Sequence, residues 1–115
     1  MNNDLNHRTK LYALRIIKLV RALPKTIDGR AIGGQLVRSG TSVGANYRAV
    51  CRARSRAEFI SRLGIVIEEA DESGFWLEII IDSNLMKKEL VEPLLKETNE
   101  IVAIMVSSSN SASKK

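Results

Sequence analysis

The sequence predicts an all-α protein, an antiparallel up-down four-helix bundle. Three observations carry this. Apolar residues recur at three- and four-residue spacing in four segments separated by short breaks. No segment alternates with the period of two that a half-buried strand needs. Aromatic residues make up 4% of the 115 residues while hydrophobic residues make up 44%, so aliphatic side chains must fill the core, which suits helix packing. The length suits one domain that can bury a core without disulfides or a metal.

The first helix is expected at roughly residues 5–23, with Leu5, Tyr12, Ile16, Leu19, Val20 and Leu23 on its apolar side and Arg8, Arg15 and Lys18 largely between them. Pro24 stops it, and Thr26 or Asp28 can cap the next helix, expected at 30–54. Ser55-Arg56-Ala57-Glu58 fits a capping box, so a third helix is expected at 56–82. That segment carries two adjacent stripes. One runs through Phe59, Leu63, Val66, Ala70, Ser73, Leu77 and Ile80, the other through Ile60, Ile67, Gly74 and Ile81, so it should pack against more than one neighbour. Asp82-Ser83-Asn84 breaks the pattern. A fourth helix is expected at 87–106, through Leu90, Val91, Leu94, Leu95, Ile101, Val102 and Met105, with Pro93 near its first turn, where a missing amide costs little. These helices make a bundle over residues 1–106, and the polar end 107–115 is expected to be disordered.

The composition narrows the function classes. No run approaches the roughly 20 apolar residues of a membrane span, and the N-terminus lacks a signal peptide's apolar core, so a cytoplasmic protein with no membrane partner is expected. Cys51, the single cysteine, sits among Ala49, Val50 and Ala53 and reads as a small buried apolar residue. The single histidine, His7, lies where the chain start should fray. No histidine–nucleophile pair and no set of metal ligands is visible; Glu68-Glu69-Ala70-Asp71-Glu72 lacks the Glu-x-x-His motifs of a bundle metal site. Neither an enzyme nor a bound cofactor or metal is therefore expected.

The net charge of +5 is unevenly spread. Residues 1–56 hold 12 of the 18 Lys/Arg but 2 of the 13 Asp/Glu. The two halves should attract each other, and the basic half has an excess that a polyanion could use.

That excess concentrates in QLVRSGTSVGANYRAVCRARSR, Gln35 to Arg56, which also places Gly40 and Gly44 inside a helix. If the second and third helices fold back near Arg54 to Arg56, Gly40 falls beside Ala70, Gly44 beside Val66 and Gly74 beside Leu36, as places of close approach. The same register sets Arg38 near Glu72, Ser39 near Asp71, and Thr41 and Ser42 near Glu68 and Glu69. A buried polar layer of Arg38, Ser42, Glu69 and Glu72 is expected. Arg48, Arg52 and Arg56 follow at steps of four and share one face, with little acid opposite. With Arg54, Arg15 and Lys18 they are the candidate contacts to RNA or DNA backbone, since guanidinium forks match phosphate oxygens. Tyr47 is the one aromatic nearby that could stack on a base. Two other readings of the arginine row stay open: pairing with acids of a neighbouring subunit or protein partner, and a solvated face. Phe75 and Trp76 read as core or subunit interface.

The stretches QLVRSGTSVGANYRAVCRARSRAEF and IVIEEADESGFWLEII resemble the small bundle family named for proteins encoded in intervening sequences of bacterial 23S ribosomal RNA. The match rests on Gln35, Leu36, Arg38, Ser42, Val43, Ala45, Asn46, Arg54, Ser55 and Glu58, and extends over about residues 8–105. Gly44 stands where many relatives carry proline. The family is similar in fold to the accessory variability protein of diversity-generating retroelements, a basic homopentamer that works with a reverse transcriptase and binds nucleic acid. The resemblance implies a bacterial homo-oligomer, a ring of five subunits, with no known catalytic activity. It also implies either a nucleic-acid partner or a scaffold role, such as an accessory subunit of a reverse transcriptase or another complex.

Overall fold

The computed structural model describes residues 2–114, with side chains from Asp4 onward. Four helices run in order: α1 (Asn2–Arg21), α2 (Ile27–Cys51), α3 (Arg56–Asp82) and α4 (Lys88–Ser113). They are sequential neighbours around one core, α1 against α2, α2 against α3 and α3 against α4, with a slighter α1–α4 seam closing the ring. The bundle measures 47 × 21 × 19 Å, so its two ends are well separated. One end gathers the α2–α3 turn and the outer ends of α1 and α4; the other holds the α1–α2 and α3–α4 turns.

The helix boundaries follow from local chemistry. α2 starts three residues before the expected position because both candidate caps act. The Thr26 and Asp28 side chains each accept from the Gly29 amide, at 3.2 and 3.0 Å. α2 also stops three residues early, at Cys51, where the amides of Arg52 and Ala53 close back onto Ala49 and Val50. The capping box opens α3: Ser55 Oγ accepts from the Glu58 amide at 3.1 Å, and Glu58 Oε1 accepts from the Arg54 amide at 2.8 Å. α3 ends on Asn84 in the left-handed region (φ 59°), with Leu85 N–H bonded to Ile80 and Asn84 N–H to Ile81. Asparagine tolerates that conformation, and Leu85 folds back onto the core.

For α4 the start matches the expectation and the end corrects it. The helix begins at Lys88, one residue after the expected start, and Pro93 is its sixth residue, just past the first turn, so the Glu89 carbonyl loses an amide partner there. At the other end, residues 107–113 continue the helix instead of forming a disordered tail. A serine-rich run is a poor helix starter, but extending an existing helix avoids the cost of nucleation. Ser113 Oγ donates to the Ser109 carbonyl at 2.9 Å, and Ser108, Ser109 and Ala112 are half-buried.

The core follows the predicted stripes closely. Tyr12, Ile16, Leu36, Val43, Leu63, Val66, Leu77, Ile80, Val91, Ile101 and Met105 are almost wholly buried, and Ile60, Ile67 and Ile81 flank them half-buried. Leu90 departs from its stripe and stands 63% exposed.

The glycines settle differently from their expected register. A Cβ on Gly40 would stand 2.8 Å from both γ carbons of Ile16, and one on Gly44 would stand 3.2 Å from Thr9 Oγ1. Both glycines therefore admit α1, not α3. Gly74 faces Thr98 and Leu95 of α4, not Leu36. The folding-back arithmetic gave relative height on α2 and α3 but not which side of each helix a residue occupies.

Across the centre, Tyr12, Ser39, Ser73 and Thr98 bring a buried hydroxyl from each of the four helices. Tyr12 Oη donates to Thr98 Oγ1 at 2.6 Å, since the Thr98 proton goes to the Leu94 carbonyl at 2.8 Å. Ser73 Oγ lies 2.9 Å from Ser39 Oγ, and the Ser73 hydroxyl also acts on the Tyr12 phenol. Burial is the main cause that pushes the Tyr12 phenol above its ordinary range, with these hydroxyls opposing it.

Gly40→Ala should destabilise the protein by about 1–3 kcal/mol, because the β-branched Ile16 cannot yield without moving α1. Gly34→Ala, where a Cβ meets nothing within 4 Å, should stabilise it by about 0.5–1 kcal/mol. Chemical denaturation of both variants checks this, and equal effects would contradict the close approach. Tyr12→Phe should cost about 0.5–1.5 kcal/mol in the same measurement, since Thr98 keeps its bond to Leu94.

Candidate functional site

Charge accounting separates the basic residues into those neutralised within the fold and those left over. Arg8 of α1 reaches across the α1–α4 seam: Nε and Nη2 donate to the two Glu97 oxygens at 2.7 Å each, and Nη2 also donates to Glu100 at 2.9 Å. The fork geometry matches the carboxylate. Glu97, 17% exposed, is held below the usual carboxylate range chiefly by its hydrogen bond to Arg8.

Arg38 of α2 contacts Glu72 of α3, as the register predicted, and also Glu69, which the register had set beside Thr41 and Ser42. The layer is not buried, however: the Arg38 side chain is 50% exposed. Nor does Ser42 join it, because its hydroxyl donates to the Arg38 carbonyl at 2.6 Å. Glu72, held low mainly by Arg38, also accepts from the Trp76 indole N–H at 3.1 Å. The buried polar pair at this height is Ser39–Ser73, which sequence reasoning missed. Its signal was present, since Ser73 sits in the apolar stripe of α3. Of the remaining acids in the run, Glu68 and Asp71 are exposed.

The surplus lies at the α2–α3 turn. Arg48, Arg52, Arg54 and Arg62 line one open concavity with Ala45, Ala49 and Glu58. Arg48 and Ala45 also border the adjoining α1–α2 groove, where Lys10, His7, Asn6 and Thr41 complete the wall. Neither Arg62, which the register sets opposite the row, nor Lys10 of α1 is among the contacts expected from the sequence. Among the described residues, no carboxylate lies within ion-pair distance of Arg48, Arg52, Arg54 or Arg56. Glu58, the one acid in the concavity, is already engaged. It accepts from the Arg54 amide and from Arg62 Nε at 2.8 Å, and the Arg54 bond is the main cause of its lowered pKa.

Five sequence-based placements change. Because α2 stops at Cys51, Arg52 is its cap residue and Arg56 begins α3, so the steps of four do not make one helix face; Arg56 is exposed but lies outside the concavity. Arg15 and Lys18 line a separate groove between α1 and α4, with Leu19, Met86, Leu90 and Pro93. Tyr47 is 4% exposed and cannot stack on a ligand; burial first, then the neighbouring Cys51, pushes its phenol up to about 12. Cys51 is half-buried, receiving the Asn6 amide at 3.6 Å. His7 lies within α1, exposed, rather than in a frayed start.

Against this geometry, the family profile described as 23S rRNA-intervening sequence protein matches residues 1–107. The chain belongs to that family. The chain is similar to a protein of unknown function from the S23 ribosomal protein family of Bacteroides thetaiotaomicron VPI-5482, whose crystal structure superposes with a TM-score of 0.87. The two share 33% identity over 95% of this chain and 97% of the other. No curated protein matches the sequence. No described helix is long and apolar enough to cross a membrane.

The Arg8–Glu97 contact has a definite pH signature. A carboxylate held below its ordinary value contributes stability that is complete above that value and disappears as pH falls through the lowered one. The gap in thermal midpoint between the wild type and Glu97→Gln should therefore be constant from pH 7 to 5, then close below the ordinary glutamate value of 4.5. Circular dichroism melts across that range check it; a gap that persists to pH 2 would assign the effect to packing.

Proposed function

We propose that the protein is a non-enzymatic binding module that engages the sugar–phosphate backbone of RNA or DNA through Arg48, Arg52, Arg54 and Arg62. The observation that carries this reading is the concavity itself, where four guanidinium groups surround one carboxylate that is already engaged. Elsewhere the fold neutralises arginine with well-placed acids, at Arg8 and at Arg38. Here it does not. Arg48 and Arg52 close α2, where the helix dipole favours cations, but Arg54 and Arg56 stand at the opening of α3, where it disfavours them. That local conflict is relieved by an external polyanion.

We also propose a homo-oligomer. The support is the outer face of α3, where Phe75 is 52% and Ile65 42% exposed among the exposed acids Glu68, Asp71, Glu78 and Asp82. Trp76 packs edge-on to Phe75 but lies half-buried against the core, so Phe75 carries the exposed part of the expected interface. A face of this kind, acidic and apolar, complements the basic faces of a second copy.

Binding to generic RNA and DNA should weaken steeply with salt, with a log–log slope of about −3 to −4 per subunit if each arginine meets one duplex phosphate. Arg52→Glu with Arg54→Glu should abolish it, leaving the thermal midpoint and the sedimenting mass unchanged. Phe75→Glu should lower the mass. An oligomer lost with the arginine reversal would instead assign these arginines to contacts between subunits or with an acidic protein partner.

A further inference from the structure

Resting on the backbone-binding reading, we infer that the nucleic acid engaged is double-stranded rather than single-stranded.

The cations form a broad patch, not a track. Lys10 comes from α1, Arg48 from α2, Arg52 and Arg54 from the turn and Arg62 from α3. They lie in two adjoining grooves that share Arg48 and Ala45, so the charge extends across the end of α2 to both sides. A surface two grooves wide can meet phosphates on both strands of a duplex. A single strand threading one groove would leave part of it idle.

The second observation is the absence of a stacking platform. Binders of single strands gain much of their affinity from bases stacked on exposed aromatic rings. Neither groove has a phenylalanine, tyrosine or tryptophan in its wall, and the one ring there is the small imidazole of His7 at the α1 side of the first groove. Tyr12 and Tyr47 are buried, at 1% and 4% exposure, and Phe59 is half-buried against the core. The exposed ring of Phe75 stands in the α3–α4 groove beside Asp71 and Glu78, whose charges repel phosphate. The one large exposed ring is thus set where a polyanion is disfavoured, and beside the cations only the His7 imidazole offers a ring. A duplex already has its bases stacked internally and presents phosphates outward, which is what this surface accommodates.

The third observation is the acidic outer face of α3, with Glu68, Asp71, Glu78 and Asp82 exposed. Wrapping by a flexible strand would bring phosphates against it. A stiff duplex docked on the basic end avoids it.

The test is equilibrium binding of the intact protein to a labelled 20-base-pair RNA duplex, a DNA duplex of equal length, and unstructured oligo-U and oligo-dT of 20 nucleotides, all at one salt concentration. The duplexes should bind about tenfold or more tightly than the single strands, since the latter lack the stacking contribution. Ala45→Tyr, which places a ring on the exposed wall between the grooves, should raise single-strand affinity and lower the preference for duplex. Single strands that bind as tightly as duplexes would overturn the inference and leave the backbone-binding reading standing. No binding of any of the four probes at low salt would overturn both.

Discussion

The contact of Ile16 with Gly40 is the constraint on which the rest of the bundle depends. With no Cβ at position 40, the branched side chain of Ile16 rests against the α2 backbone, and Gly44 admits the Thr9 hydroxyl in the same way. α1 is thereby drawn inward. Its next inward residue, Tyr12, is carried far enough into the centre for its hydroxyl to reach Thr98 on α4 and the Ser73 hydroxyl on α3. The slighter α1–α4 seam, which joins the two helices farthest apart in the chain, is then closed by that bond and by the Arg8 fork on Glu97 and Glu100. Directional polar contacts do there what apolar area does elsewhere. They also fix the relative heights of α1 and α4, because a hydrogen bond tolerates less sliding than apolar packing does.

The same frame decides which charges remain available. α2 carries arginines along much of its outer side, and their fate depends on what α3 presents at each height. Near the middle, Glu69 and Glu72 meet Arg38. Toward the turn, α3 offers Glu58 alone, and the capping box and Arg62 take it first. The unneutralised patch is therefore a consequence of where the α3 acids begin, about three turns into the helix. The acids on the outer side of α3 cannot reach it, so the molecule has a basic end and an acidic flank. This division favours a polyanion at one place and a subunit contact at another.

Much of this was legible in the chain. Four helices, the Ser55–Glu58 cap, the Asn84 break and the Arg38–Glu72 pairing follow from residue types and spacing that act within a few residues or across one short turn. Errors arose where a local rule had competitors. The sequence places the end of α2 at Arg54, yet the α3 cap claims the Arg54 amide. The serine-rich end was read as disordered on composition, though extension of an existing helix keeps it ordered to Ser113. Within the site, Arg48, Arg52 and Arg54 were found from charge density. Arg62 and Lys10 were not, because nothing in their own segments marks them.

The sequence by itself determined the number of helices, their buried faces and the family, since hydrophobic period, caps and motif residues are properties of contiguous segments. Tertiary structure alone decided that the α2 glycines receive α1 rather than α3, that Arg38 is half-exposed, and that Tyr47 is buried away from the arginines. Helical period gives the direction of a side chain relative to its own axis. What stands in that direction is set by packing residues that lie tens of positions away.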